Sequence, residues 1–410
     1  MQPILQGLFD GIFNGVSIGS VLLLAALGLA IVFGLMGVIN LAHGELMMLG
    51  AYTTFVVQNV AKAWLPAYKP SAEAGAIGNA LKFLISQEMY IFYALIAAFI
   101  VTALVGLALE RGVIRFLYGR PLETLLATWG VSLILRQFVR SANTLLTIAI
   151  ALFCLLFLGG WWLLSRRLDW ERIRGWALTI LFVLSMGIVI TAGLLMARMP
   201  KLTQLWFGTR NIDVTAPAWL RGGMPVGTLQ LPYARLFIMA LTVLCLVGIY
   251  TFLQRSTWGL KIRAVTQNRN MSACLGIPTS VVDALTFALG SGLAGIAGCA
   301  VTLLGSVGPN LGANYIVDAF MVVVVGGVGK MIGTVVASLM IGTVTYLIGS
   351  GTIALILTNL QVAALQPLVD FFTFFATTSM AKVMVFALII AFLQFRPAGL
   401  FPQKGRTVDA

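Results

Sequence analysis

The feature that most limits what this chain can become is a succession of apolar stretches that begins near its first residues and recurs almost to its end. Each is close to the roughly 20 residues that a helix needs to cross about 30 Å of hydrocarbon. Inside hydrocarbon every backbone N–H and C=O must be paired within the protein, which favours helices for runs of this length. The stretches at 11–37, 40–58, 90–109, 122–140, 145–164, 176–196, 233–253, 283–304, 315–329, 333–351 and 379–395 predict an all-α polytopic membrane protein of about eleven transmembrane helices. A soluble domain of 410 residues has no interior that could hide a composition 60% hydrophobic and only 10% charged.

Basic residues orient such spans, because Lys and Arg gather on the cytoplasmic side. No Lys or Arg occurs up to Asp10, which places the N-terminus outside. Arg111, Arg115 and Arg120 then fall inside, as do Arg166, Arg167, Arg172 and Arg174. So do Arg255, Lys261, Arg263 and Arg269, then Lys330, then a cytoplasmic C-terminal tail with Arg396, Lys404 and Arg406. These are more than half of the 26 Lys and Arg residues, so the net charge of +13 reads as inner-loop charge. No aromatic-plus-basic surface supports nucleic acid as a partner. The expected outer loops are 59–88 with a short amphipathic helix, 200–232 with Trp206, Asp213 and Trp219, and a turn at 305–314. The first stretch lacks the basic start and cleavage site of a removed signal and is read as a retained span.

The inner loop 255–278 is too charged for lipid and too patterned for a tether. Asn268 to Cys274 predicts a short helix, stopped by Gly276 and Pro278. Its apolar points Met271, Ala273, Leu275 and Ile277 suit a groove on a cytoplasmic partner, the basic residues before it a lipid or acidic surface. A solvated loop that only obeys the charge rule is the other reading.

No catalytic constellation is visible. Gly326-Gly327-Val328-Gly329-Lys330 lacks the first Gly of a phosphate loop and its Ser or Thr, and His43-Gly44-Glu45 lacks the second His of a zinc helix. The chain is therefore read as a non-enzyme without its own ATP site, metal or cofactor; if it transports, it uses an ion gradient or borrows an ATPase. Polar groups inside spans usually face a cavity or another helix. Asn40, His43 and Glu45 either line a path for a polar solute or pair with one another and cap a broken helix. Thr128, Trp129 and Ser132 form a weaker polar group. Asp283 and Asp318, near span ends, are read as caps or dipole partners. Gly15 and Gly19, Gly292 and Gly295, and Gly329 and Gly333 mark close helix contacts or re-entrant bends. Cys154, Cys245, Cys274 and Cys299 have no disulfide or metal spacing and are read as packing residues.

Residues 34–45, Gly-Leu-Met-Gly-Val-Ile-Asn-Leu-Ala-His-Gly-Glu, with 47–52, Met-Met-Leu-Gly-Ala-Tyr, resemble the second-helix signature of the branched-chain amino-acid type ABC permeases. The loop ending at Met271–Ile277, the Gly-rich 324–333 and the ending Arg396-Pro397-Ala398-Gly399-Leu400-Phe401 resemble the same family. Residues 117–130 and 264–269 are most similar to its urea permease branch, with Gln267 and Asn268 where amino-acid permeases usually carry an acidic residue. The resemblance implies a bacterial inner-membrane subunit working with a second related permease, two cytoplasmic ATPases that hydrolyse the ATP, and an extracytoplasmic solute-binding protein. It implies ATPase coupling through Arg263, Asn268, Met271, Ala273, Leu275 and Gly276, and a solute path at Asn40, His43, Glu45, Thr128 and Ser132. Urea is the leading substrate, branched-chain amino acids or short-chain amides the alternative within the family, and an ATPase-independent channel the alternative outside it. Residues 143–205 have no counterpart in short family members, so the chain divides into a permease half at 1–142, an inserted hairpin at 143–205 and a second half at 206–410. That leaves a core of about nine helices plus the inserted pair. The segment 352–378 is also longer than usual.

Overall fold

The computed structural model describes residues 2–67, 82, 85–166, 170–226, 229–359 and 366–401. Arg167, most of the 59–88 loop with its expected short helix, and the tail carrying Lys404 and Arg406 lie outside the described residues.

The chain is helical at every predicted span. The helices are α1 (Gln2–Ile31), α2 (His43–Trp64), α3 (Tyr90–Gly112), α4 (Pro121–Ser141), α5 (Thr144–Leu164) and α6 (Trp170–Met196). They continue with α7 (Tyr233–Arg255), α8 (Thr257–Gln267), α9 (Arg269–Cys274), α10 (Thr279–Thr302), α11 (Leu311–Gly326) and α12 (Met331–Gly349). After α13 (Thr352–Asn359) and α14 (Gln366–Phe374), α15 (Thr378–Phe395) closes the described chain. Seven helices are individually long and apolar enough to cross a membrane, and an eighth span forms if the bent pair α14–α15 counts as one. The remaining predicted spans fall short for visible reasons: α2 and α4 carry charged and amide side chains, and α11 has 16 residues. Among the described residues the one strand pair is a hairpin of β1 (Gly223–Val226) and β2 (Leu229–Pro232), antiparallel with Gly223 opposite Pro232.

Two compact units make up the chain, one of residues 1–132 with 213–410 and one of residues 133–212. In the first, small residues let helix backbones touch, the main route to association where lipid offers no hydrophobic drive. Gly15 and Gly19 of α1 lie against α12, where a side chain on Gly342 would overlap the Gly19 backbone. Gly292 packs on the Phe99 ring and Gly295 on Ala98 and Thr102, joining α10 to α3. Gly333 lies against Gly326 across the turn between α11 and α12, where Gly329 holds φ +81, a left-handed value that suits glycine. In the second unit α5 and α6 pack as a pair, with Phe153, Phe157 and Phe182 in edge-to-face contact and Leu181 filling the space above Gly160. Asn143 caps α5 by accepting from Leu146 N at 2.6 Å. The same residue forms an antiparallel bridge with Leu205, and Trp206 N donates to Ala142 O at 2.9 Å, so the two ends of this segment lie side by side.

Of the cysteines, Cys245 and Cys299 are buried as packing residues, whereas Cys154 and Cys274 are exposed. The expectation fails at these two because α5 and α9 each turn that face outward.

Candidate functional site

α1 does not end cleanly. Its last turn widens into a π-helix at Val32–Met36, and Gly37, at φ +69, reverses the chain. Such widened turns often sit at functional sites. Residues 38–42 then run back along α1 until His43 opens α2, and His43 Nε2 donates to Ala25 O at 3.0 Å. Ala25 lies well inside the apolar span Phe9–Met36, so α2 begins within the bundle rather than at its face. α11 begins there as well, since Gly312 in its first turn packs backbone to backbone against Gly44. Of the predicted turn at 305–314, residues 305–310 form a turn, whereas Leu311–Asn314 already belong to α11, with Gly312 packed on Gly44.

Two helix N-termini therefore meet inside the bundle, each with unsatisfied N–H groups and the positive end of its dipole. Asn40, His43 and Glu45 are buried at this point. Asn40 Oδ1 accepts from Ala42 N at 3.0 Å. Thr128 Oγ1 accepts from Leu41 N at 3.2 Å, and Ser132 Oγ donates to Glu45 Oε1 at 3.1 Å. α4 thereby contributes to the site, and all five predicted path residues come together. Trp129, on the other side of α4, is half exposed and stays apart. His43 bonds a backbone carbonyl rather than serving as a cap. Because a carbonyl only accepts, Nε2 carries the proton and Nδ1 faces inward as an acceptor. Among the described residues Asn40 Nδ2 and His43 Nδ1 have no hydrogen-bond partner. The packing is tight: a Cβ on Gly28 would lie 2.7 Å from His43 Cε1 and would overlap Gly290 O.

α8 lies on α7 and α10 through Ile262 and Val265, which are buried with Leu253 and Val282. α9 follows where the short helix is expected. Asn268 caps it, its Oδ1 accepting from Met271 N at 2.9 Å, and Gly276 at φ +80 ends it as Ile277 N bonds Ser272 O at 3.1 Å. Met271, Ala273 and Leu275 are exposed, which leaves an apolar edge on a capped helix. Arg263 is not part of that edge; it donates to Gln254 Oε1 at 2.8 Å, close to the end of α7.

Two acids depart from their predicted capping roles. Asp283 binds Arg269 at 2.6 Å and Asp318 binds Lys382 at 2.8 Å. Both sit beyond the first turn, where backbone N–H groups are already spent on the helix, so each meets a side-chain cation instead. The lone Lys382 within an apolar stretch was the available signal, since an ion inside a span calls for a partner in another. Sequence reasoning also passed over Gly28 and Gly312, whose importance is in what their backbones touch. Elsewhere, Gln58 Nε2 and Tyr90 Oη both donate to Thr215 O, at 2.6 and 2.8 Å, and Trp219 Nε1 donates to Glu88 O at 3.1 Å. These bonds hold part of the 200–232 loop on the ends of α2 and α3.

The family described as branched-chain amino acid transport system / permease component matches residues 11–393. The high-affinity branched-chain amino acid transport system permease protein BraD of Pseudomonas aeruginosa is 24% identical over 348 residues, 83% of this chain and 86% of its own length. The similarly described LivH of Salmonella typhimurium is 24% identical over 343 residues, 80% of this chain and 82% of its own. The ribose import permease protein RbsC of Bacillus subtilis is 31% identical over 108 residues, 25% of this chain and 34% of its own. No solved structure matches the chain.

Proposed function

Because the chain belongs to the branched-chain amino acid transport system permease family, we propose that it is the membrane-spanning subunit of an ATP-driven importer whose solute is urea. ATP is hydrolysed by two cytoplasmic partner subunits, a second related permease completes the pathway, and an extracytoplasmic binding protein delivers the solute to the outer loops. The membrane is a bacterial inner membrane, with the N-terminus outside and the tail inside. α9 takes up ATPase movement through Met271, Ala273, Leu275 and Gly276, and Asn268 keeps the helix capped while it moves.

The observation that supports the substrate is the pair of buried, unpartnered neutral groups, Asn40 Nδ2 and His43 Nδ1, the imidazole packed beside Gly28. Urea offers one carbonyl acceptor and four N–H donors in a planar body of four heavy atoms. Its oxygen can take the Asn40 donor, and its N–H groups suit His43 Nδ1 and the Glu45 carboxylate. Solute binding drives transport only by favouring one arrangement over another, so these groups must realign between inward- and outward-open states. The relatives, described as branched-chain amino acid permeases, favour a second reading, branched-chain amino acids.

Uptake of labelled urea, with leucine in parallel, by cells with and without this gene and its partner ATPases tests the reading. Urea uptake that needs both permease and ATPases is expected. Leucine uptake alone would move the substrate, and urea uptake surviving ATPase loss would make the chain a channel.

A further inference from the structure

Beside α9 the inner face opens into a cavity of about 570 Å³ whose wall includes Met36, Glu110, Arg115, Tyr118, Arg269 and Asp283. Its polar groups are connected in a fixed order. Arg269, the first residue of α9, pairs with Asp283 of α10 at 2.6 Å. The same guanidinium stands 5.1 Å from the centre of the Tyr118 ring. Tyr118 Oη donates to Glu110 Oε1 of α3 at 3.1 Å. Burial, reinforced by the Glu110 charge, pushes the Tyr118 hydroxyl well above the usual phenol range, so it keeps the proton it donates. One residue of α9 thus reaches two separate span helices, one through charge and one through an aromatic ring.

Both contacts lead toward the polar site. Asp283 is seven residues, about two turns, from Gly290, which lies against Gly28 beside His43. Tyr118 packs on the buried group of Val32, Val38, Ile114 and Phe287, which includes the π-turn and the strand of chain leading to Asn40. We infer that Arg269, Asp283, Tyr118 and Glu110 form a strut that positions α10 and the 37–42 segment according to where α9 stands. They are positioning residues: none touches the solute site, and each acts by holding another element in register. An apolar edge on α9 alone would give a partner something to grip without anything to pull.

This inference rests on the importer reading, and the test separates the two. The assembled importer, reconstituted with its ATPases and binding protein, is assayed for solute uptake and ATP hydrolysis together. If the unaltered complex takes up no solute with ATP, the importer reading fails. If it does, Arg269→Gln and Asp283→Asn are each expected to lower solute moved per ATP at least tenfold while hydrolysis continues. The exchange Arg269→Asp with Asp283→Arg should restore much of the ratio, which a merely structural role would not predict. Glu110→Gln, which retains an acceptor for Tyr118, should cost less than Tyr118→Phe. Should Asp283→Asn fail to assemble, Arg269→Gln decides alone, because its side chain is about half in solvent, 47% exposed. An unchanged ratio in Arg269→Gln would overturn the strut.

Discussion

Helices Phe9–Met36 and Thr144–Leu164 both pass as membrane spans, yet 83% of the apolar window of the first is buried and 0% of the second. Thr279–Thr302 and Arg174–Met196 repeat the contrast at 78% and 6%. Apolarity therefore decides which segments can cross, and a different property decides how deeply each is buried. All four helices carry Gly and Ala, but those of the buried pair sit where neighbours approach, whereas Gly159 of α5 and Gly175, Gly187 and Gly193 of α6 meet nothing within 4 Å. Small residues bring backbones within dispersion range only where a second backbone faces them.

The largest break in that contrast should come from bulk at a touching glycine. Gly290→Leu would overlap Val32 and the Gly28 carbonyl, whereas Gly187→Leu in α6 meets nothing within 4 Å. We expect the first to lose about 1–3 kcal/mol or more, seen as lost detergent-stable protein and uptake, and the second to resemble the parent chain. Equal stability would mean that the glycine contacts carry no packing. A sharper probe addresses the polar site within the buried set. Ser132→Ala removes a hydrogen bond to a carboxylate, worth about 1.5–3 kcal/mol, and Glu45→Gln removes the charge at nearly the same shape. Each is expected to lower uptake roughly tenfold, a change of about 1.4 kcal/mol, at normal membrane abundance. Parental rates in both would reduce the pair to packing. The smallest effect should follow excision of 143–205. Its ends are bridged at Asn143 and Leu205, so a short Gly-Ser linker can rejoin the chain. Removing two spans keeps the alternation, and uptake should stay within about twofold of the parent if the core transports alone. Loss of uptake with intact membrane insertion would give the segment a working role.

The spans and the short inner helix were legible because each rests on local chemistry: apolar length for the spans, and the Asn268 cap with the Gly276 stop for α9. Asn40, His43, Glu45, Thr128 and Ser132 were legible as polar residues out of place, though not as one site. Their joining depends on the reversal at Gly37, which no periodicity announces. Arg269 with Asp283, and Asp318 with Lys382, could not be paired in advance, because the partners come from separate helices. The 305–314 stretch holds two kinds of glycine that look alike in sequence: Gly305 stands in an open turn, and Gly312 meets the Gly44 backbone.

The meeting of Gly44 and Gly312 has a mechanical consequence. Side chains in contact can absorb a displacement by changing rotamer, which blurs it over several small steps. Backbone pressed on backbone has no such slack, so a shift of α11 is delivered undiminished to the start of α2, as between gear teeth cut without clearance.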